Sequence, residues 1–63
     1  MKAEDMVKGQ WYRHVYSPIG RFVFTGVVDL VDRMQCALDG DMDMQSLFLI
    51  NPKDEVEPAE PKK

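Results

Sequence analysis

One histidine, His14, and one cysteine, Cys36, joined by Ser46 as a second nucleophile, are the side chains here that could carry acid-base or covalent chemistry. Covalent catalysis needs a base within hydrogen-bond reach of the attacking atom and a third residue to orient that base. No spacing in the sequence fixes such an arrangement. The alternation of Met34, Cys36 and Leu38 puts the thiol on an apolar face, where a cysteine behaves as a small, inert hydrophobe. One Cys and one His cannot complete a four-ligand zinc site. Asp39, Asp41 and Asp43 match the alternate-ligand spacing of a calcium loop, but Met44 stands where the loop needs glycine and Ile50 where it needs a bidentate glutamate. These acids read as a solvated hairpin tip that discourages off-register pairing. The expectation is a non-enzymatic chain with no metal and no cofactor.

The grouping best suited to recognition is Lys8, Trp11, Tyr12, Arg13, His14, Tyr16, Arg21 and Phe22, which mixes cations with aromatic rings. Such mixtures hold phosphates and stack bases, and they also anchor protein interfaces. Alternation puts Trp11, Arg13 and Val15 on one face of a strand and Tyr12, His14 and Tyr16 on the other. The expected contact surface is Tyr12, His14, Tyr16 and Arg21, with the tyrosines as anchors and Arg21 as a polar clamp; in the competing reading Trp11, Val15, Phe22 and Phe24 make the core while Arg13 and Arg21 are ordinary surface charges. An aromatic cage for a methylated amine, drawn from Trp11, Tyr12, Tyr16 and Phe24, is a narrower use of the same rings.

The elements that must position these residues follow from patterning. The chain has 63 residues, 44% of them apolar and 30% charged, which is a globular composition for one small domain. Trp11–Tyr16 is rich in aromatic and β-branched residues, and Ser17-Pro18-Ile19-Gly20 breaks it with loop chemistry. Arg21–Val31 is the strongest strand signal: Phe22, Phe24, Val28 and Leu30 share one parity and Val23, Val27 and Val31 the other, with Gly26 marking a bulge or bend. Met34–Leu38 alternates next, Asp39-Gly40 is a tight-turn pair, and Met44–Ile50 supplies another strand. Asn51-Pro52-Lys53-Asp54 is turn chemistry before a short strand at Glu55-Val56-Glu57. Residues 58–63 read as a disordered tail beyond a domain of residues 1–57. The competing pattern places Val27, Leu30, Val31, Met34, Ala37 and Leu38 on one helical face, so residues 27–39 are two strands or one helix.

Charge is unevenly spread over a net of −3. Met6–Val28 carries three cations and no acid, whereas Asp29–Glu60 sets nine acids against two cations. The longest apolar run, Leu47–Ile50, is far too short to span a membrane. Met1–Asp5 lacks the basic flank and apolar stretch of a secretory signal, so a cytoplasmic location is expected.

The order of these features resembles the SH3-like small β-barrels, the group that includes SH3, Tudor and KOW-type domains. The resemblance rests on Asp5-Met6-Val7-Lys8-Gly9-Gln10-Trp11 as the entry. Gly26-Val27-Val28-Asp29-Leu30-Val31 followed by Met34-Gln35-Cys36-Ala37-Leu38-Asp39-Gly40 matches the central strands and turns. Asn51-Pro52-Lys53-Asp54-Glu55-Val56-Glu57-Pro58 matches the closing turn and strand. It implies a mainly β, SH3-like barrel of about five antiparallel strands. Functional residues carry over less: the aromatic stretch is basic where an SH3 peptide groove is acidic, and Asp29 stands where KOW-type loops are basic. The expected function is a binding or adaptor module for another protein. The alternatives are a weak nucleic-acid-binding barrel, an acidic phosphate mimic built from Asp29–Glu57, and a homo-oligomer formed through strand edges.

Overall fold

In the computed structural model, which describes residues 1–61, the strand-forming sequences assemble into a single five-stranded antiparallel sheet. Its strands are β1 (Trp11–His14), β2 (Arg21–Val28), β3 (Met34–Leu38), β4 (Leu47–Ile50) and β5 (Val56–Pro58), in the spatial order β4-β3-β2-β1-β5. Residues 27–39 thus form the end of one strand, a turn and a second strand, which removes the helical alternative. No helix among the described residues is long and apolar enough to cross a membrane.

The core forms on one face of the sheet. Tyr12, Phe22, Phe24, Met34, Cys36, Ile50 and Val56 are buried there, with Phe48 packed against them. Phe22 has no exposed surface; its register partners are Tyr12 on β1 and Leu38 on β3, and its ring meets Phe48 edge-on at 5.3 Å and 87°. Burying such a ring contributes about 1.5–3 kcal/mol. The edgewise pair adds roughly 0.5–1.5 kcal/mol beyond area burial.

A flat sheet cannot bring Ile50 of β4 and Val56 of β5 into one core, because three strands separate them. β2 supplies the bend. Phe24 pairs with Cys36, but the next partners are Val28 and Met34, so the ladder shifts between Phe24 and Val28, around Gly26. Gly26 has φ +87°, and a Cβ there would lie 2.7 Å from the Lys8 side chain that crosses it. The sequence-predicted bulge sits at this glycine.

The sheet curls without closing, which corrects the expectation of a barrel. β4 and β5 remain separate edges, and the N-terminal segment fills the space near them. Ala3 and Met6 enter the core, while Ala3 N–H donates to Asp54 C=O and Glu4 N–H to Pro52 C=O in the β4–β5 connection. The outer edge of β5 is taken by Met1: Val56 N–H donates to Met1 C=O at 2.8 Å, and the Met1 ammonium donates to Val56 C=O. That contact occupies backbone groups of β5 that barrel closure would need.

Several boundaries differ from the patterning. β1 stops at His14, leaving Val15 and Tyr16 in the loop. β2 stops at Val28 because the Asp29 carboxylate accepts hydrogen bonds from Val31 N–H (3.0 Å) and Arg33 N–H (2.8 Å), a turn stronger than continued pairing. Leu30 and Val31, beyond the strand, are consequently exposed, and Val27 is exposed at its end. Asp39 and Gly40 both have positive φ, as a tight turn requires, yet the chain runs on through a 3-10 turn at Met44–Ser46 before β4 begins. Pro58, assigned to the tail, ends β5 opposite Tyr12, and Ala59 N–H donates to Trp11 C=O. Lys62 and Lys63 lie outside the described residues.

Trp11 lies on the outer face, with its ring over Gly40; a Cβ at Gly40 would fall 2.8–2.9 Å from the indole. Gly40→Ala should therefore cost about 1–3 kcal/mol from positive-φ strain and overlap together. In a Trp11→Leu background the cost should fall measurably, and additive denaturation midpoints would show that the indole does not press on this turn. Cys36 has no exposed surface, and burial pushes its thiol up to about 12. Native protein at pH 8 should resist a chromogenic disulfide reagent that labels denatured protein at once. Complete labelling within the mixing time under native conditions would contradict this packing.

Candidate functional site

The four residues singled out for contact do not end up alike. Tyr12 and His14 share the inward parity of β1, and Tyr12 is only 4% exposed, stacked in the row with Phe22. Its hydroxyl accepts the Val7 N–H at 2.7 Å, which satisfies the polar tip of a buried ring. The alternation of β1 was read correctly and its inner face was not: Tyr12 is core and Trp11 is outside. Tyr12 positions the site from beneath instead of presenting its ring.

His14 sits half-buried at the end of β1. Its Nδ1 accepts the Tyr16 N–H at 3.2 Å, and its Nε2 lies 3.6 Å from the Asp54 carboxylate. The imidazole thereby holds the β1–β2 loop in shape. That loop presents Tyr16, which is 80% exposed. Arg21 opens β2 on the outer face, and its Nη1 donates to the carbonyls of Glu60 (3.2 Å) and Pro61 (3.4 Å).

Arg13 belongs to the mixed cationic and aromatic grouping but not to the four expected contact residues. It is the register partner of both Arg21 on β2 and Glu57 on β5. Two guanidiniums directly opposite one another repel. Glu57 offsets this by pairing with Arg13 from the other side, while Arg21 turns to main-chain oxygens. Two shallow depressions flank Arg13. One, of ≈ 440 Å³, is lined by Arg13, Gly20, Arg21, Pro58, Ala59 and Glu60; the other, of ≈ 370 Å³, runs past His14 and Pro18 to Glu57. The arrangement offers forked N–H donors along two concave surfaces. Period-two parity could have put Arg13 and Arg21 on one face once their strands were paired, but the part played by Pro58–Glu60 had no local signal.

The nucleophile candidates lie elsewhere. Cys36 is in the core, and Ser46 Oγ donates to Asp41 at 3.4 Å on the far side of β3. The acids of the β3–β4 loop are used locally: Asp41 accepts the Asp43 N–H at 2.9 Å, and Asp43 caps the 3-10 turn by accepting the Gln45 N–H at 3.2 Å. Asp29 loses some solvation, which alone would raise its pKa, but hydrogen bonds from the Arg33 and Val31 amides and the Arg33 guanidinium hold it below the usual carboxylate value.

β5, which delivers Glu57 to Arg13 and follows Asp54, is held by the Lys2–Glu55 ion pair at 2.7 Å. The hydrogen bond from Lys2 keeps the Glu55 carboxyl below its ordinary value, and the same bond raises Lys2. A carboxyl that titrates lower when folded contributes stability above its unfolded pKa and loses it as pH falls through the folded one. The stability difference between wild type and Glu55→Gln should hold steady near neutrality and shrink on acidification below the carboxylate range. A difference indifferent to acid would show that this link does not secure β5. No protein-family model, curated protein or solved structure matches this chain.

Proposed function

We propose that this chain is a binding module for another protein, engaged through the surface around Arg13, His14, Tyr16 and Arg21. The observation that carries the reading is the 80% exposed Tyr16 ring, set on the β1–β2 loop that His14 braces, in a sheet that also places Arg13 opposite Arg21. A tyrosine has only two side-chain torsions to immobilise, so a ring held out by a braced loop is an efficient anchor. Arg21 and Arg13 suit a carboxylate of the partner, which their forked donors can clamp from the adjoining depressions. The strand order, with a bent β2 at its centre, supports the resemblance to SH3-like domains, a group of small recognition modules.

A protein partner is favoured over nucleic acid because the chain is acidic overall, with a net charge of −3. Nucleic-acid affinity comes mainly from cations free to neutralise phosphates. A phosphate mimic is disfavoured by the Asp41 and Asp43 carboxylates, which accept hydrogen bonds from their own loop.

A photoreactive benzoylphenylalanine at position 16, compared with one at the exposed Met42, tests the reading in the native cell. Protein adducts of defined mass should form from position 16 and not from position 42. Arg21→Ala should reduce them, with affinity for the identified partner falling by about tenfold. Adducts to nucleic acid alone, or equal protein adducts from both positions, would overturn it.

A further inference from the structure

The amide of Tyr16 rests on a hydrogen bond that only one protonation state of His14 can accept. A backbone N–H needs a lone pair opposite it, so the Nδ1 that accepts the Tyr16 N–H at 3.2 Å carries no proton. The neutral ring then keeps its proton on Nε2, which lies 3.6 Å from the Asp54 carboxylate. Solvent reaches the imidazole, whose side chain is 16% exposed. The preceding amide is held separately, because Val15 N–H donates to Glu55 C=O at 3.1 Å. Anchorage of the chain up to Val15 is thus indifferent to the imidazole, and that of Tyr16 is not.

We infer that His14 is a pH-sensitive latch, which holds the β1–β2 loop when neutral and releases the Tyr16 amide when protonated. A second proton can join this ring only at Nδ1, where it turns the acceptor into a donor and sets two N–H groups against each other. Asp54 gives the transition its direction. Its carboxylate attracts the imidazolium, so the ring stays at the end of β1 while the amide turns away. The same carboxylate accepts the Asn51 N–H at 3.2 Å, which fixes it in the β4–β5 connection. The other charges around the ring are engaged among themselves. Arg13 and Glu57, which line the depression beside His14, pair with each other, and Glu55, whose carbonyl holds Val15, gives its carboxylate to Lys2 and the Met1 ammonium. No charged residue occurs from Val15 to Gly20, so the loop itself adds nothing to offset the new charge. Imidazole is the side chain that ordinarily changes charge between about pH 5 and 8, and a latch built on it answers to mild acid. The device belongs to the free chain and stands whether or not Tyr16 meets a partner.

Nuclear magnetic resonance on the nitrogen-labelled full chain, from about pH 8 to about pH 5, tests this. At the alkaline end the ring nitrogens should report a neutral imidazole protonated on Nε2, and a coupling across the N–H···N bond should join the Tyr16 amide nitrogen to Nδ1. At the acid end that coupling should vanish. Protection of the Tyr16 amide, corrected for the pH dependence of exchange itself, should fall about fivefold while Val15 and the sheet amides keep theirs. His14→Asn retains an acceptor without a titrating ring, so its Tyr16 amide should behave alike at both ends. Asp54→Asn removes the attraction for the imidazolium and should move the loop transition to lower pH. A wild-type Tyr16 amide equally protected throughout, a loss shared by the whole sheet, or a folded His14→Asn chain that follows the wild-type response overturns the inference.

Discussion

A single sheet with no second layer can exclude water from a core only by folding across its own inner face, and this constraint governs the rest of the molecule. Phe22 marks the centre of that enclosure. It lies on the central strand of the five, and the side chains that complete its surroundings come from every other strand and from the N-terminal segment. The bend near Gly26 and the inward placement of Ala3 and Met6 are two answers to the same geometric need. Without the bend the outer strands could not converge; without the segment, their convergence would leave a gap.

Because the enclosure uses only one face, the other is free to carry polar structure, and the arginine pair of the proposed recognition surface lies there. Arg13 and Arg21 stand one residue from the core rings Tyr12 and Phe22 along their strands. Their spacing is therefore fixed by backbone pairing instead of by flexible loops. Glu57 reaches Arg13 only because β5 pairs with β1, and β5 is kept in place by contacts with Met1 and Lys2. The electrostatics of the outer face thus depend on a strap at the opposite end of the sequence.

The strands themselves were readable from alternation, since Phe22, Phe24, Met34 and Cys36 recur at the pleat period and all point inward. The inward face of β1 was not readable, because Trp11 and Tyr12 are adjacent, both aromatic, and of opposite parity. The register with Phe22 decides between them, and register is a long-range property. The extent of β2 was overestimated for a related reason: Val27, Leu30 and Val31 continue an apolar pattern that no partner covers, and the Asp29 turn ends the strand first. Closure was expected from order alone, while the short β4 and the occupied edge of β5 prevent it. Of the expected contact residues, Tyr16 is exposed but stands in the loop beyond β1 and Arg21 opens β2, while the placement of Arg13 and Pro58–Glu60 required the pairing of distant strands.

Trp11 is the only tryptophan in the chain, and its ring rests on the turn at Gly40, twenty-nine residues away. The indole emission of this molecule therefore has a single structural origin. Its colour and intensity register whether β1 has docked against the end of β3 and whether that turn keeps its left-handed backbone. Nature has placed one optical probe at a junction that forms only when strands from the two halves of the sheet have met, so the light from one side chain serves as a gauge of the whole assembly.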